Sequence, residues 1–225
     1  MRIHRWLIAT ILMTAMLAIA VAITTNQPYL HQFDTWGLHL AGQTTTTRTN
    51  WARTITNWGS PVGMVITAIV LALWMLWRRR PTWAATLASA VLATAILNRL
   101  VKAVVVRPRP FVADPQLHAL AHASGWSFPS GHASASAALV IIMLMYIWRW
   151  HRRPATRTLA AIIGVLYLAT IVWTRVYLHV HFASDVLAGV LEGVAVAIIA
   201  REIMRGLQQR YRRHLMHGGV GGPAG

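Results

Sequence analysis

Cysteine is absent from this chain of 225 residues, and lysine occurs once, at Lys102. Without a thiol there is no disulfide, no thiolate metal site and no cysteine nucleophile, which excludes thiol-based phosphatases. Carboxylates are almost as scarce, with Asp34, Asp114, Asp185, Glu192 and Glu202 making up the whole acidic complement. Hard cations want several oxygen ligands close together, so five scattered carboxylates are a poor basis for a two-metal centre. A mechanism without metal or other cofactor is expected. The formal net charge is +16, but the arginines sit at the ends of apolar runs and form no single basic face. Nucleic acid is therefore not an expected partner.

What the chain has in abundance is apolar residues: 56% are hydrophobic and only 12% charged, with a mean hydropathy of +0.49. That composition reads as a polytopic membrane protein. Spans need about 20 predominantly apolar residues, and the segments that qualify are 6–24, 60–77, 83–106, 133–150, 158–174 and 184–204. The first follows Arg2 and Arg5 like a signal peptide, yet no convincing small-residue cleavage site follows it, so it is read as a retained span. Alternating the loops places Arg78 to Arg80, Arg149, Arg152, Arg153, Arg157 and the arginines of 201–213 on the side of the N-terminus. By the positive-inside rule that side is the cytoplasm.

The opposite face receives the segments 25–59, 107–129 and 175–183. In the first of these, Trp51, Ile55 and Trp58 recur at helical spacing, which predicts a short interfacial helix, stopped by Gly59-Ser60-Pro61. The threonines at 44–47 read as a flexible connection. The expected fold is all-α, with six transmembrane helices and an interfacial helix in the first outer loop. One membrane domain covers 1–205, and a basic, glycine-rich and flexible cytoplasmic tail covers 206–225. No oligomeric state follows.

Chemistry gathers at the outer face. His181 and Asp185 are four residues apart, so on a helix they share a face; a carboxylate accepting from one ring nitrogen leaves the other free as base or nucleophile. His179, six residues from Asp185, is a poorer helical match. Lys102 lies inside an apolar span, where charge is costly and marks a functional or paired site, and Asn98 is one turn earlier, placed to hold or hydrate it. Arg107-Pro108-Arg109-Pro110 cannot continue a helix, so its guanidiniums are presented on a stiff extended stretch. Ser130 is a natural N-cap. Together with Gly131 it makes a helix start suited to an anion, and His132 beside it can donate a proton to a leaving oxygen. Arg175 either snorkels to headgroups or joins this set.

Taken together, the stretches Lys102…Arg109-Pro110, Pro129-Ser130-Gly131-His132 and Thr174-Arg175…His181…Asp185 resemble the tripartite signature of the type 2 phosphatidic acid phosphatase superfamily. That superfamily includes membrane lipid phosphate phosphatases and soluble vanadium haloperoxidases, the latter disfavoured by the apolar spans. Thr174 stands where the family usually has serine, and His179 where it often has glycine. The resemblance implies that His181 attacks phosphorus to form a phosphohistidine, that Asp185 orients it and that His132 protonates the leaving oxygen. Lys102, Arg109, Arg175, Ser130 and the Gly131 amide would hold the phosphoryl oxygens, with Arg107 a second-rank candidate beside Asn98 and His179.

With these stretches on the outer side, the expected substrate is a lipid phosphate or pyrophosphate of the outer leaflet of the cell membrane. Undecaprenyl pyrophosphate is the first expectation. A phosphatidylglycerophosphate or phosphatidic acid phosphatase is the alternative, and a lipid phosphotransferase would share the first half-reaction. An anion transporter, the reading from a different class, predicts polar residues along several spans, whereas the first, second and fifth contain little beyond Thr and Ser.

Overall fold

The computed structural model describes residues 2–217, and every regular element among them is helical. In chain order these are α1 (Arg2–Thr24), α2 (Pro28–Ala41), α3 (Thr46–Trp58), α4 (Pro61–Trp77), α5 (Pro81–Val105), α6 (Pro110–Ala113), α7 (Gly131–Trp150), α8 (Pro154–Tyr177) and α9 (Ala183–His217). Proline opens five of them, at the helix position where a missing N–H costs nothing. Hydroxyl caps precede α3, α4 and α7: Thr45 accepts from Arg48 N, Ser60 from Gly63 N and Ser130 from Ala133 N. α5 stops at Val106, which takes the left-handed φ of 49°, just where the Arg-Pro-Arg-Pro stretch forbids further turns.

Helices α1, α5, α7, α8 and α9 are each long and apolar enough to cross a membrane. α4 has only 17 residues, at the lower end of the spanning range; a sixth span results if α3 and α4, bent by 45°, count as one. The segment 25–59 differs from expectation. It holds two helices, α2 as well as α3, and Thr45 to Thr47 belong to the cap and first turn of α3, where a flexible connection was expected. The face of α3 opposite its tryptophans is buried through Thr49, Ala52 and Thr56, while Trp51 and Trp58 point outward. α9 runs through the expected start of the tail as far as His217, and residues 218–225 lie outside the described residues.

α9 is the central helix, with 72% of its apolar window buried against 22% for α1 and for α8. It packs hardest on α7, and small residues make that possible. A Cβ on Gly193 would fall onto the Ser134 carbonyl oxygen and lie 2.9 Å from Ala137 Cβ, and one on Gly189 would lie 3.0 Å from Ala133 Cβ. The two backbones approach through this glycine stripe, as small residues permit between spans. The start of α7 is thereby held against the start of α9. Gly193→Ala is accordingly expected to overpack the contact and cost about 1–3 kcal/mol. A lowered unfolding temperature in detergent would show this; an unchanged one would mean that the helices can part freely.

Candidate active site

The C-terminal ends of α5 and α8 and the N-terminal ends of α7 and α9 meet at one end of the bundle. The amide of Ser130 donates to Asp185 O at 3.0 Å, which ties the first turn of α7 to that of α9, and Ser127 N donates to Arg107 O at 2.8 Å. All three sequence motifs converge here, at a single buried cluster.

His181 lies in the turn before α9 and Asp185 in the helix's first turn, so the four-residue spacing works through the helix start and not along a helix face. The carboxylate caps the helix: Asp185 Oδ2 accepts from Phe182 N at 2.9 Å and also from the Ser127 hydroxyl. His181 Nδ1 is 3.6 Å from that oxygen and 3.4 Å from Ser127 Oγ, a loose arrangement of the kind that tightens when substrate arrives. Its Nε2 faces the other way, 3.5 Å from Arg109 Nη1. The imidazole is only 3% exposed. Burial above all holds its pKa far below the ordinary histidine value, at about 3; Arg175 and Lys102 push in the same direction and Asp185 opposes them. The ring is therefore neutral at physiological pH and keeps the lone pair a nucleophile needs.

The cations are placed differently from one another. Arg109 donates to the carbonyl oxygens of Ser124, Gly125 and Val180 at 2.7–2.9 Å, and Lys102 Nζ to those of Trp126 and Ser127 at 2.8 and 3.2 Å. The 124–127 loop thus holds both. Arg175, only 4% exposed, donates to Thr56 Oγ1 at 2.7 Å, and its Nε is buried without a hydrogen-bond partner. That donor points to an anion, because an unpaired buried guanidinium N–H is costly. Arg175 and His132 together line a cavity of about 720 Å³ with Thr56, Asn57 and Ser60. Ser130 and Gly131 start α7 directly before His132.

Three second-rank candidates fall outside the cation cradle. Arg107 bonds Asp185 Oδ1 and Ser184 Oγ at 2.6 and 2.7 Å and pairs with Asp34, while stacking over Phe182 at 4.1 Å. It braces the carboxylate. Asn98 serves not the lysine but the Pro129 carbonyl, Ser134 Oγ and Glu192 Oε2, all at 3.2–3.3 Å. His179 takes the left-handed φ of 57°, which accounts for the family's usual glycine there, and its Nδ1 lies 3.1 Å from His118 O. It lines a separate cavity of about 780 Å³ beside Asp34 and Arg107.

Asp34, Thr56 and Ser127 escaped the sequence reading as site residues. Asp34 also accepts from Ser184 N at 2.8 Å, so two carboxylates serve the start of α9, where the helix dipole favours negative charge. A signal existed for Thr56: the face of α3 opposite Trp51 and Trp58 carries Thr49, Ala52 and Thr56 at spacings of three and four.

Comparison with known proteins gives a consistent picture. A family model described as the PAP2 superfamily matches residues 83–209. Phosphatidylglycerophosphatase B of Bacillus subtilis is 30% identical over 161 residues, covering 71% of this chain and 74% of that protein. Escherichia coli YbjG, named provisionally as an undecaprenyl-diphosphatase, is 29% identical over 148 residues, or 66% of this chain and 70% of that one. Among solved structures, a transmembrane PAP2-type phosphatidylglycerolphosphate phosphatase from Bacillus subtilis superposes with a TM-score of 0.75 at 21% identity, covering 88% of this chain and 96% of that chain.

Proposed function

The chain belongs to the PAP2 superfamily and is a membrane lipid phosphatase; from that premise we propose that it hydrolyses a lipid phosphate or diphosphate at the outer membrane face through a phosphohistidine on His181, without a metal. The observation that carries this reading is the ring of His181 itself: neutral, buried, with Nδ1 toward Asp185 and Nε2 toward Arg109.

In the first step the Nε2 lone pair attacks phosphorus. The bond from phosphorus to the leaving oxygen breaks, and that oxygen takes a proton from His132. In the second, His132 removes a proton from water, the resulting hydroxide attacks phosphorus, and the P–N bond breaks with its electron pair returning to Nε2. Charge on the three equatorial oxygens is met by Arg175, Arg109 and Lys102, with Ser130 and the Gly131 amide completing the cradle. Lys102 and Arg109 exchange loop carbonyls for phosphoryl oxygens, and Arg175 offers its unpaired Nε. Asp34 and Asp185 are already paired with Arg107, so the positive charge at this site is supplied by side chains. Removing one such donor typically costs about 10²–10³ in rate. Arg175→Gln is expected to lower kcat by that factor; a loss confined to KM would assign Arg175 to ground-state binding alone.

Undecaprenyl diphosphate is the preferred substrate in this reading, supported by the similarity to YbjG. Phosphatidylglycerophosphate is the second, supported by the Bacillus subtilis relative. The deciding measurement is phosphate release by the purified protein from a panel of lipid mono- and diphosphates, with and without chelator. Fastest turnover of undecaprenyl diphosphate, undiminished by chelator, is expected. Loss of all activity on chelation would defeat the metal-free mechanism, and a strong preference for a glycerolipid monophosphate would replace the substrate.

A further inference from the structure

At the other end of the bundle lies a third cavity, of about 570 Å³, lined by Arg5 of α1, Trp83 of α5, Trp148 and Arg149 of α7, and Arg201 and Arg205 of α9. It is separate from the catalytic cluster: Arg201 is 16 residues beyond Asp185 on the same helix, roughly 24 Å along its axis.

Among the described residues, Glu202 is the one carboxylate paired with any of these four arginines. Its Oε1 accepts from Arg5 at 2.7 Å and from Arg205 at 3.1 Å. Arg5 and Arg205 are, among the described residues, the arginines bonded to that carboxylate; Arg201 and Arg149 are instead held by aromatic faces, Arg201 over Trp83 at 3.7 Å and Arg149 over Trp150 at 4.7 Å. Stacking leaves a guanidinium's edge free to donate. Nη1 of Arg201 is buried and has no hydrogen-bond partner, an arrangement that costs free energy unless a ligand supplies the acceptor. The remaining wall, with Leu144 of α7 and Val194 and Ile198 of α9, is apolar.

We propose that this cavity is a second, non-catalytic lipid site, in which Arg149 and Arg201 grip the phosphate of an anionic phospholipid while an acyl chain runs along Leu144, Val194 and Ile198. Guanidinium forks match phosphate oxygens in pairs, and basic pockets between spans are a recognised form of headgroup site. The apolar wall selects a lipid over a soluble phosphate, which would leave that wall unfilled. The inference is independent of the catalytic reading.

The test uses the full chain in detergent and reads its unfolding temperature with dioctanoyl phosphatidylglycerol, a phosphodiester, beside dioctanoylglycerol and inorganic phosphate. Wild type and Arg175→Gln, which leaves this cavity intact, are expected to gain about 5 °C with the phospholipid only. The double variant R149Q/R201Q is expected to gain nothing. An equal gain in the double variant overturns the site, and an equal gain with inorganic phosphate overturns the lipid assignment. Should the double variant fail to fold, amide hydrogen exchange on the wild type decides: the phospholipid is expected to slow exchange at 145–150 and 201–205, and no slowing there overturns the proposal.

Discussion

Replacing His181 by alanine is expected to lower kcat by roughly 10⁴-fold or more, with binding of the lipid phosphate little changed. Loss on that scale follows from the role proposed for Nε2. A cradle of Lys102, Arg109 and Arg175 can still bind a phosphoryl group and stabilise its charge, but without a nucleophile there is no covalent step for it to accelerate. Rapid quench with labelled substrate is expected to trap an acid-labile, base-stable phosphoenzyme in the wild type and none in the variant. His132→Ala provides the contrast. Its missing proton matters most for a poor leaving group, so an aryl phosphate, whose leaving oxygen needs little protonation, is expected to restore phosphoenzyme formation there but not in His181→Ala. A labelled phosphoenzyme persisting in His181→Ala would move the nucleophile elsewhere.

Much of this site was legible because the chain spends so few polar residues inside its apolar segments. Lys102 stands out inside its span and Arg175 at the end of its own, and it is the joint pattern of His132, His181 and Asp185 with these cations, more than any one residue, that points to chemistry. The spans were legible by length alone, and α5 and α7 run close to the expected limits. Tertiary choices were not legible. Arg107 and Arg109 look equivalent in sequence, yet one braces Asp185 while the other faces His181. Arg109 has φ −78° and ψ 159°, near polyproline II, whose threefold period sends side chains two residues apart in different directions. Asp34 and Thr56 were hidden for another reason. They sit on helices of mixed polarity, where a buried polar face and a solvated one look alike until a partner such as Arg107 or Arg175 arrives from far along the chain.

Asp185→Asn is the sharper experiment on the mechanism, because it keeps the shape and removes the charge. In the proposed role the carboxylate accepts a proton-bearing Nδ1, which leaves Nε2 unprotonated toward the substrate. An asparagine turned with its amide nitrogen toward His181 would donate to Nδ1, favour the opposite tautomer and put the proton on the attacking atom. Turned the other way, it would place that nitrogen against Arg107, donor to donor. Either orientation fails, since Oδ1 receives Arg107 while Oδ2 receives Phe182 N and Ser127 Oγ. A fall in kcat of about 10⁴ is therefore expected, as for an orienting carboxylate in a triad, together with a lower unfolding temperature from the weakened helix cap. Arg107→Gln separates the two effects. It loosens the brace but leaves the carboxylate, so an unfolding temperature lowered as in Asp185→Asn is expected with a much smaller loss of kcat. If Asp185→Asn were to keep kcat within tenfold of wild type while folding normally, the tautomer argument would fail, and the carboxylate's part would reduce to capping α9 and neutralising Arg107.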